Sequence, residues 1–360
     1  MFGSYRPEDV TILLKDVTGL AIPLEAGERA LRMAQGIHYS QMLPLEHQPS
    51  PLYLQTYFNA QERFSAMTAL AAARVAKQIR EDKGPRAVLV SLARAGTSVG
   101  VLLKRRLEQA YGLRVPHYTV SIIKGRGIDR SAMDYLLARH RPEDLQFVDG
   151  WTGKGAIQQE LDAAMADYPG VDSALAVLSD PARVAGKWGT QEDFLIPSSC
   201  LNATVSGLLS RTLLREDLIG PGDFHGAVCY EALRAQDLTY TFIDAVTALF
   251  PAGEPPEEPS GAGSRGEGVA EARAICRTFA LENLAAVKPS IGEATRALLR
   301  RVTWKLLVHS LDDQAYLGHL YQLAREKGVP VEVYPLRCYR ACGLLQPPEG
   351  RGYEPDSASL

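Results

Sequence analysis

The stretch 144–157, DLQFVDGWTGKGAI, ends an apolar run on an acid and turns into a Gly/Thr/Lys loop ahead of a helical segment. Phe147 and Val148 read as the end of a buried strand, with Asp149 at its carboxyl edge. Gly150 and Trp151 lead into Thr152, Gly153, Lys154 and Gly155. There, bare backbone N–H groups converge on the positive end of a helix expected over about 156–166. An acid beside such a nest suits a ligand carrying both hydroxyls and phosphate, although an ordinary strand–turn–helix corner has the same outline. A nucleotide P-loop does not fit, because Val148 stands five positions before Gly153 and Gly155 follows Lys154. No G-x-G-x-x-G fingerprint follows a strand near the start of a βαβ unit.

Two more loops share this design. The run 87–91 (AVLVS) is nearly continuously apolar, as in a strand buried on both faces of a parallel sheet. It passes through Arg94, Ala95, Gly96 and Thr97 into a helix expected over 99–111. Arg94 offers a planar fork of donors suited to a diphosphate, where an unremarkable turn arginine would simply face water. The strand-like run 120–123 opens into Lys124-Gly125-Arg126-Gly127, a basic loop expected either as a mobile cover over an anionic ligand or as a solvated surface loop. Ligands of open α/β sheets bind outside the carboxyl ends of the strands, where all three loops would meet.

Four blocks carry a resemblance in order: SLARAGTSVG, YTVSIIKGRGID, FVDGWTGKGAI and DFLIPSSCLNATVSGLLSRT. Together the chain resembles the phosphoribosyltransferase family of bacterial tellurium-resistance (stress-response) operons, whose members commonly carry a Pelota-like RNA-binding domain and in some cases a StiP-type cysteine-protease label. The resemblance implies an α/β fold, a type I phosphoribosyltransferase-like parallel sheet flanked by helices, with a small carboxyl-terminal α/β/α domain. It implies a Mg²⁺-dependent transfer of ribose 5-phosphate from phosphoribosyl diphosphate to a nucleobase-like acceptor. Arg94 to Thr97 would take the diphosphate, Asp149 the ribose hydroxyls, and Thr152 to Gly155 the 5′-phosphate, with Gly150 and Trp151 in the same binding loop. Arg94, Lys124 and Arg126 would stabilise the leaving group, with Mg²⁺ held mainly by the substrate rather than by protein ligands. One departure stands out: the family's paired acids are here a single Asp149 followed by Gly150 and Trp151.

These sites need elements to position them. With 360 residues, 46% hydrophobic and 22% charged, the chain suits a soluble protein of two or more domains. A net charge of −3 gives no global basic field, so contacts with nucleic acid must be local. Five scattered cysteines, no apolar stretch long enough to span a membrane and no leader-like start lead us to expect a reduced, cytoplasmic protein. A homo-oligomer is left open. Residues 1–250 are expected as the transferase-like domain, with a helix over about 60–81. Residues 251–268, rich in Pro, Gly and Glu, are expected as a flexible linker, 269–346 as the Pelota-like domain and 347–360 as a disordered tail.

In the carboxyl-terminal region, helices are expected over 269–287, from the 289–293 stretch to about 301, and over 312–327, strands over 304–309 and 329–334, and the start of a further helix over 339–345. IGEATRALLRR, GVPVEVY and RACGL resemble elements of the Pelota and kink-turn-binding superfamily, which implies that Gly292, Glu293, Arg296 and Arg300 contact structured RNA.

Other chemistry is weighed against this. Cys200, with Asp223 and His225 downstream, could form a cysteine-protease pair, but the small-residue run around it suits a helix packed near the pocket. A third reading is a non-catalytic, RNA-associated sensor of a phosphorylated sugar or nucleotide. Cys338 and Cys342, with His309 and His319, lack the tight spacing of a metal knuckle and are expected as free thiols. The acidic pair Asp312-Asp313 is expected to open a helix.

Overall fold

The computed structural model describes residues 2–258 and 263–345. The apolar runs become the heart of a six-stranded, all-parallel sheet. Its strands, in spatial order, are Thr11–Ile12, His117–Val120, Val88–Leu92, Leu145–Val148, Ala176–Ser179 and Lys187–Thr190. Val88–Leu92, Leu145–Val148 and Ala176–Ser179 are buried along their whole length, which is why their sequences do not alternate.

The helices run in chain order: α1 (Ala26–Ala34), α2 (Pro51–Lys83), α3 (Ala95–Tyr111), α4 (Arg130–Leu137), α5 (Ala156–Met165), α6 (Thr239–Thr247), α7 (Glu267–Thr278), α8 (Ile291–Arg300) and α9 (Gln314–Lys327). The long α2 starts at a Ser50 cap with Pro51 in the first turn and stops at Gly84, whose φ of 58° suits glycine. Its alanines bring the backbone close to the sheet, so close that a Cβ on Gly189 would overlap Ala71. No described helix is long and apolar enough to cross a membrane.

The carboxyl-terminal region has a four-stranded mixed sheet in the order Val287–Pro289, Ala341–Leu345, Thr303–Val308, Val331–Val333, with α8 and α9 among its helices. Three expectations are corrected here. Residues 341–345 form a buried strand rather than the start of a helix. The helix expected over 269–287 ends at Thr278, and Val287 opens a strand. The helix-like reading of 198–214 gives way to two short 3-10 turns, Pro197–Cys200 and Ala203–Val205.

The two regions share one core. Phe64, Phe194 and Ile196 of the first pack in a cluster with Ile291, Leu298, Leu317 and Leu320 of the second, and the Phe64 and Tyr316 rings lie 5.7 Å apart. Of the segment expected as a flexible linker, Glu254 pairs with Arg80 at 3.0 Å, while Glu258 pairs with Arg74 and accepts from the Thr190 hydroxyl at 2.5 Å. Residues 259–262 of that segment, and the tail expected as disordered, lie outside the described residues.

Asp193 is the polar joint between the regions. Its buried carboxylate accepts the N–H of Ile291 at 2.9 and 3.0 Å, at the first turn of α8, and the N–H of Arg340 at 2.9 Å. Three further bonds flank it: Tyr339 hydroxyl to Gly153 carbonyl at 2.6 Å, Lys154 ammonium to Val287 carbonyl at 2.7 Å, and Arg183 to Glu267 at 2.9 Å.

Burial pushes the Asp193 carboxyl up to about 7, against the pull of those N–H groups. A carboxyl raised in the folded state stabilises most at low pH, and that contribution is lost as pH climbs from about 4 towards 7. Urea denaturation at pH 5 and pH 8 should therefore show the wild type losing a few kcal/mol relative to Asp193→Asn as pH rises, because each tenfold change in proton affinity between folded and unfolded chain is worth about 1.4 kcal/mol. A pH-independent difference would contradict this. Asp193→Ala should lower stability by about 1–3 kcal/mol for each N–H left unpaired, and its deficit against wild type should be larger at pH 5 than at pH 8.

Candidate functional site

The sheet's carboxyl edge does bring the expected loops together, but the carboxyl-terminal region closes over them. Asp149 caps its own neighbour, accepting the Gly150 N–H at 2.8 Å, and burial raises it to about 6. Thr152 donates its hydroxyl to Asp180 at 2.5 Å, and Lys154 spends a proton on the Val287 carbonyl. Burial, reinforced by Lys288, lowers Lys154 to about 8. Gly155 starts α5 at a φ of 74°. A cavity of about 220 Å³ remains, walled by Asp149, Trp151, Gly153, Lys154, Glu293 and Arg296 among others. Glu293 presses against Gly153, so a carboxylate already occupies the neighbourhood where a phosphate would sit.

The other two loops are also committed internally. Arg94 donates to Glu46 at 2.6 Å, to Asn202 at 3.0 Å and to the Leu209 carbonyl at 2.8 Å, which leaves its fork engaged. Behind it, Ala95 and Gly96 open α3, and the Thr97 hydroxyl pairs with Thr119 at 2.8 Å. The 124–127 loop is pinned, not free: the N–H groups of Gly125 and Gly127 donate to Glu160 at 2.7 and 2.9 Å, and that of Lys124 to the Tyr39 hydroxyl. Arg126 follows in the same turn.

Next to this edge lies a larger cleft, of about 790 Å³, between the two regions. Arg29, Arg94 and Arg211 enter it from one side; Lys288, Arg296, Arg300, Arg301 and Lys327 from the other. Glu46 and Glu293 are the carboxylates in its wall. Among the described residues the Arg211 guanidinium makes no hydrogen bond or ion pair and sits 5.0 Å from the Tyr39 ring centre. Arg296 likewise faces the Trp151 ring at 5.7 Å. Crowding shows in their acidities: burial, helped by Arg296 and Arg94, pushes Arg300 down to about 9, and burial with Arg94 and Arg29 pushes Arg211 down to about 10. Of the expected RNA-contacting residues, Arg296 and Arg300 face the cleft, whereas Gly292 packs on Trp151 and Glu293 borders both cavities. Arg29, Arg211 and Lys327 escaped sequence reading, because nothing local marks an isolated cation as part of a cleft wall.

Cys200 lies beneath this cleft. Leu201, Asn202 and Thr204, just after it, line the wall, and its carbonyl is 3.5 Å from an Arg300 N–H. The 3-10 turn that carries it packs between α2 and α8. Its thiol is fully buried, and that burial pushes it up to about 12 against the opposing pull of Arg300 and Arg296. His225 belongs to a different set: its ring meets the Ser121 hydroxyl at 2.8 Å and its N–H donates to Asp129. Asp223 pairs with Lys15 at 2.6 Å. The structure therefore shows no hydrogen bond joining Cys200 to His225. Cys229 donates to Glu231 at 3.1 Å and is raised to about 11 by burial and that acid. All five cysteines are free, and no group of three or more His, Cys, Asp or Glu among the described residues could hold a metal ion.

Comparison with known proteins bears on this geometry. Residues 3–247 match the family described as tellurite-like stress resistance cysteine protease StiP, and residues 266–347 match the PELOTA RNA binding domain. Over 364 residues the chain is 33% identical to the cysteine protease StiP of Acinetobacter baylyi, covering 96% of this chain and 94% of that one. Among solved structures, a xanthine-guanine-hypoxanthine phosphoribosyltransferase of Helicobacter pylori is 19% identical over 32% of this chain and 72% of its own, with a TM-score of 0.24. A hypoxanthine-guanine phosphoribosyltransferase of Bacillus anthracis is 16% identical over 34% and 68%, also at 0.24. Overlap that slight carries no functional argument.

The expected phosphoribosyltransferase activity, with its phosphoribosyl diphosphate substrate, is therefore corrected. Both the family and the curated relative are named for a cysteine protease. The physical obstacle agrees: Arg94 is already neutralised by Glu46, and Glu293 crowds the intended phosphate loop. Mg²⁺, expected through the diphosphate of that substrate, loses its expected ligand with it.

Burial sets the reactivity of the thiols. In the folded protein at pH 7.5, iodoacetamide should label Cys276, the half-exposed cysteine, well before Cys200, which should react fully only in denaturant. Peptide mass spectrometry of a labelling time course checks this, and rapid labelling of Cys200 in the resting protein would contradict the buried placement.

Proposed function

The chain belongs to the tellurite-like stress resistance cysteine protease StiP family, and from that premise we propose that it hydrolyses peptide bonds with Cys200 as nucleophile and binds RNA through its carboxyl-terminal region. The observation that carries the choice of nucleophile is placement. Within 3–247 the cysteines are Cys200 and Cys229, and it is Cys200 that sits under the cleft with Arg296 and Arg300 acting on its thiol. Cys229 faces Glu231, whose negative charge opposes thiolate formation.

The resting thiol is protonated and inert. Its largest perturbation is desolvation, while the two arginines pull the other way. Water reaching the 197–200 turn while α8 stays docked removes the first influence and keeps the charge of Arg296 and Arg300 that favours the thiolate. Such access would therefore expose and activate Cys200 in one step. The thiolate then adds to the peptide carbonyl, the amine departs with a proton taken from water, and a second water adds to the thioester, releasing the carboxylic acid and restoring the thiol.

The test is hydrolysis of unfolded casein by wild type, Cys200→Ser and Cys229→Ser. Cys200→Ser should lose about three orders of magnitude of rate or more, as expected for removal of a nucleophile, while Cys229→Ser keeps most of it. Retained hydrolysis in Cys200→Ser, or equal loss in Cys229→Ser, would overturn the assignment. If the wild type itself cleaves nothing, the reading of a binding protein without catalysis takes its place.

A further inference from the structure

The cleft between the two regions holds more positive charge than the protein neutralises. Cations reach it from both walls, and one of its two carboxylates, Glu46, is consumed by Arg94 and by the Ala203 N–H. The Nε atoms of Arg29 and Arg300 are buried without a partner among the described residues. The Arg211 and Arg296 guanidinium groups hold no hydrogen bond or ion pair among the described residues and face aromatic rings, with Glu293 the foremost negative charge acting on Arg296. Leaving guanidinium groups sheltered and unpaired is unfavourable, and proteins retain such arrangements where a ligand supplies the missing charge. With a chain carrying net charge −3, this positive cluster is a local feature and not a spill-over of a basic protein.

Resting on the reading that this chain binds RNA, we propose that a single-stranded RNA segment seats along the cleft itself, its phosphates held by arginines of both regions: Arg29 and Arg211 on one wall, Arg296 and Arg300 on the other. Three features favour nucleic acid over an acidic peptide. The cations are predominantly arginine, whose planar fork matches phosphate oxygens in pairs. They are spread along a cleft of about 790 Å³ rather than gathered at one point, as a repeating backbone charge requires. Tyr53 also lines the wall and offers a face for a base to stack on. A cleft closed on two sides admits one strand, such as a loop, in preference to a duplex. The RNA site is thus composite, and the carboxyl-terminal region alone supplies half of it.

The experiment is fluorescence anisotropy of the full chain with a fluorescein-labelled single-stranded RNA 12-mer at several salt concentrations. Wild type should bind saturably. Arg211→Gln and Arg29→Gln should each weaken binding about tenfold, the loss expected for one charge-assisted contact, and flatten the salt dependence. Arg277→Gln, on α7 and away from the cleft, should bind as wild type. Thermal melting checks folding: the two cleft variants should melt no lower than wild type, since each removes an unpaired cation.

Wild-type affinity in Arg211→Gln and Arg29→Gln would overturn the composite site while leaving RNA binding by the carboxyl-terminal region intact. Poly-glutamate competing as well as unlabelled RNA would overturn the assignment to nucleic acid. Absence of RNA binding by the wild type would remove the RNA reading altogether, and casein hydrolysis reports on the other half of the proposed function independently.

Discussion

A single buried carboxylate organises this molecule. Asp193 leaves the end of the parallel sheet and receives the first N–H of α8 together with the N–H of Arg340, which leads into the strand Ala341–Leu345. A helix start carries partial positive charge and unsatisfied donors, so an acid there fixes both the position and the direction of the helix. Once α8 is anchored at Ile291, its other residues have no freedom of placement. Gly292 lies on Trp151, where a side chain would crowd the ring, and Arg296 and Arg300, one turn apart, point into the cleft. The Ser290 hydroxyl completes the cap by accepting from Glu293 N–H at 3.3 Å, at a φ of 84° that a non-glycine residue holds only when its surroundings dictate it. The joint, the cleft and the burial of Cys200 are therefore consequences of one docking geometry.

That geometry sets two requirements against each other. Packing α8 on the 197–200 turn buries a thiol, which raises its pKa and silences it. The same packing delivers two guanidinium groups close enough to favour the thiolate, and these repel each other and Arg94 while they wait. Hydrophobic contacts of Ile291, Leu298 and Leu299 with the shared core hold the arrangement closed. The charges press towards opening it. A balance of this kind makes the position of α8 sensitive to whatever enters the cleft, because an anion relieves the repulsion and adds nothing to the core.

Much of this was legible in the sequence. The strands at 88–92 and 145–148 and the helices behind them announce themselves by continuous apolar runs and by turn chemistry, signals that are local and strong. Short apolar runs are not so decisive: 341–345 reads equally well as helix or strand until the strands beside it supply hydrogen bonds on both edges. The site was harder still. The corner around Asp149 does lie at a strand's carboxyl edge, but its role depends on what lies opposite, and Glu293, Pro289 and Val287 approach from more than 130 residues away. Arg94 looks like a free fork because nothing nearby in sequence reveals Glu46. Glu160 likewise converts the basic loop at 124–127 from a lid into a fixed turn.

The fate of that corner explains why it misled. A loop of convergent N–H groups, a threonine, a lysine and an acid has the donors to grip an anion, and every one of those groups is also able to make a joint. Here Thr152 ties to Asp180, Lys154 to the Val287 carbonyl, and the Gly153 carbonyl to the Tyr339 hydroxyl. Two of these three bonds hold the other half of the protein and the third closes the loop on its own region, and the anion-binding capacity moves outward to the arginines that this docking brings together. Residue type and spacing specify what a loop is able to bind; the partner that arrives in the fold decides what it does bind. In this chain the partner is the carboxyl-terminal region, and the site that results belongs to neither region alone.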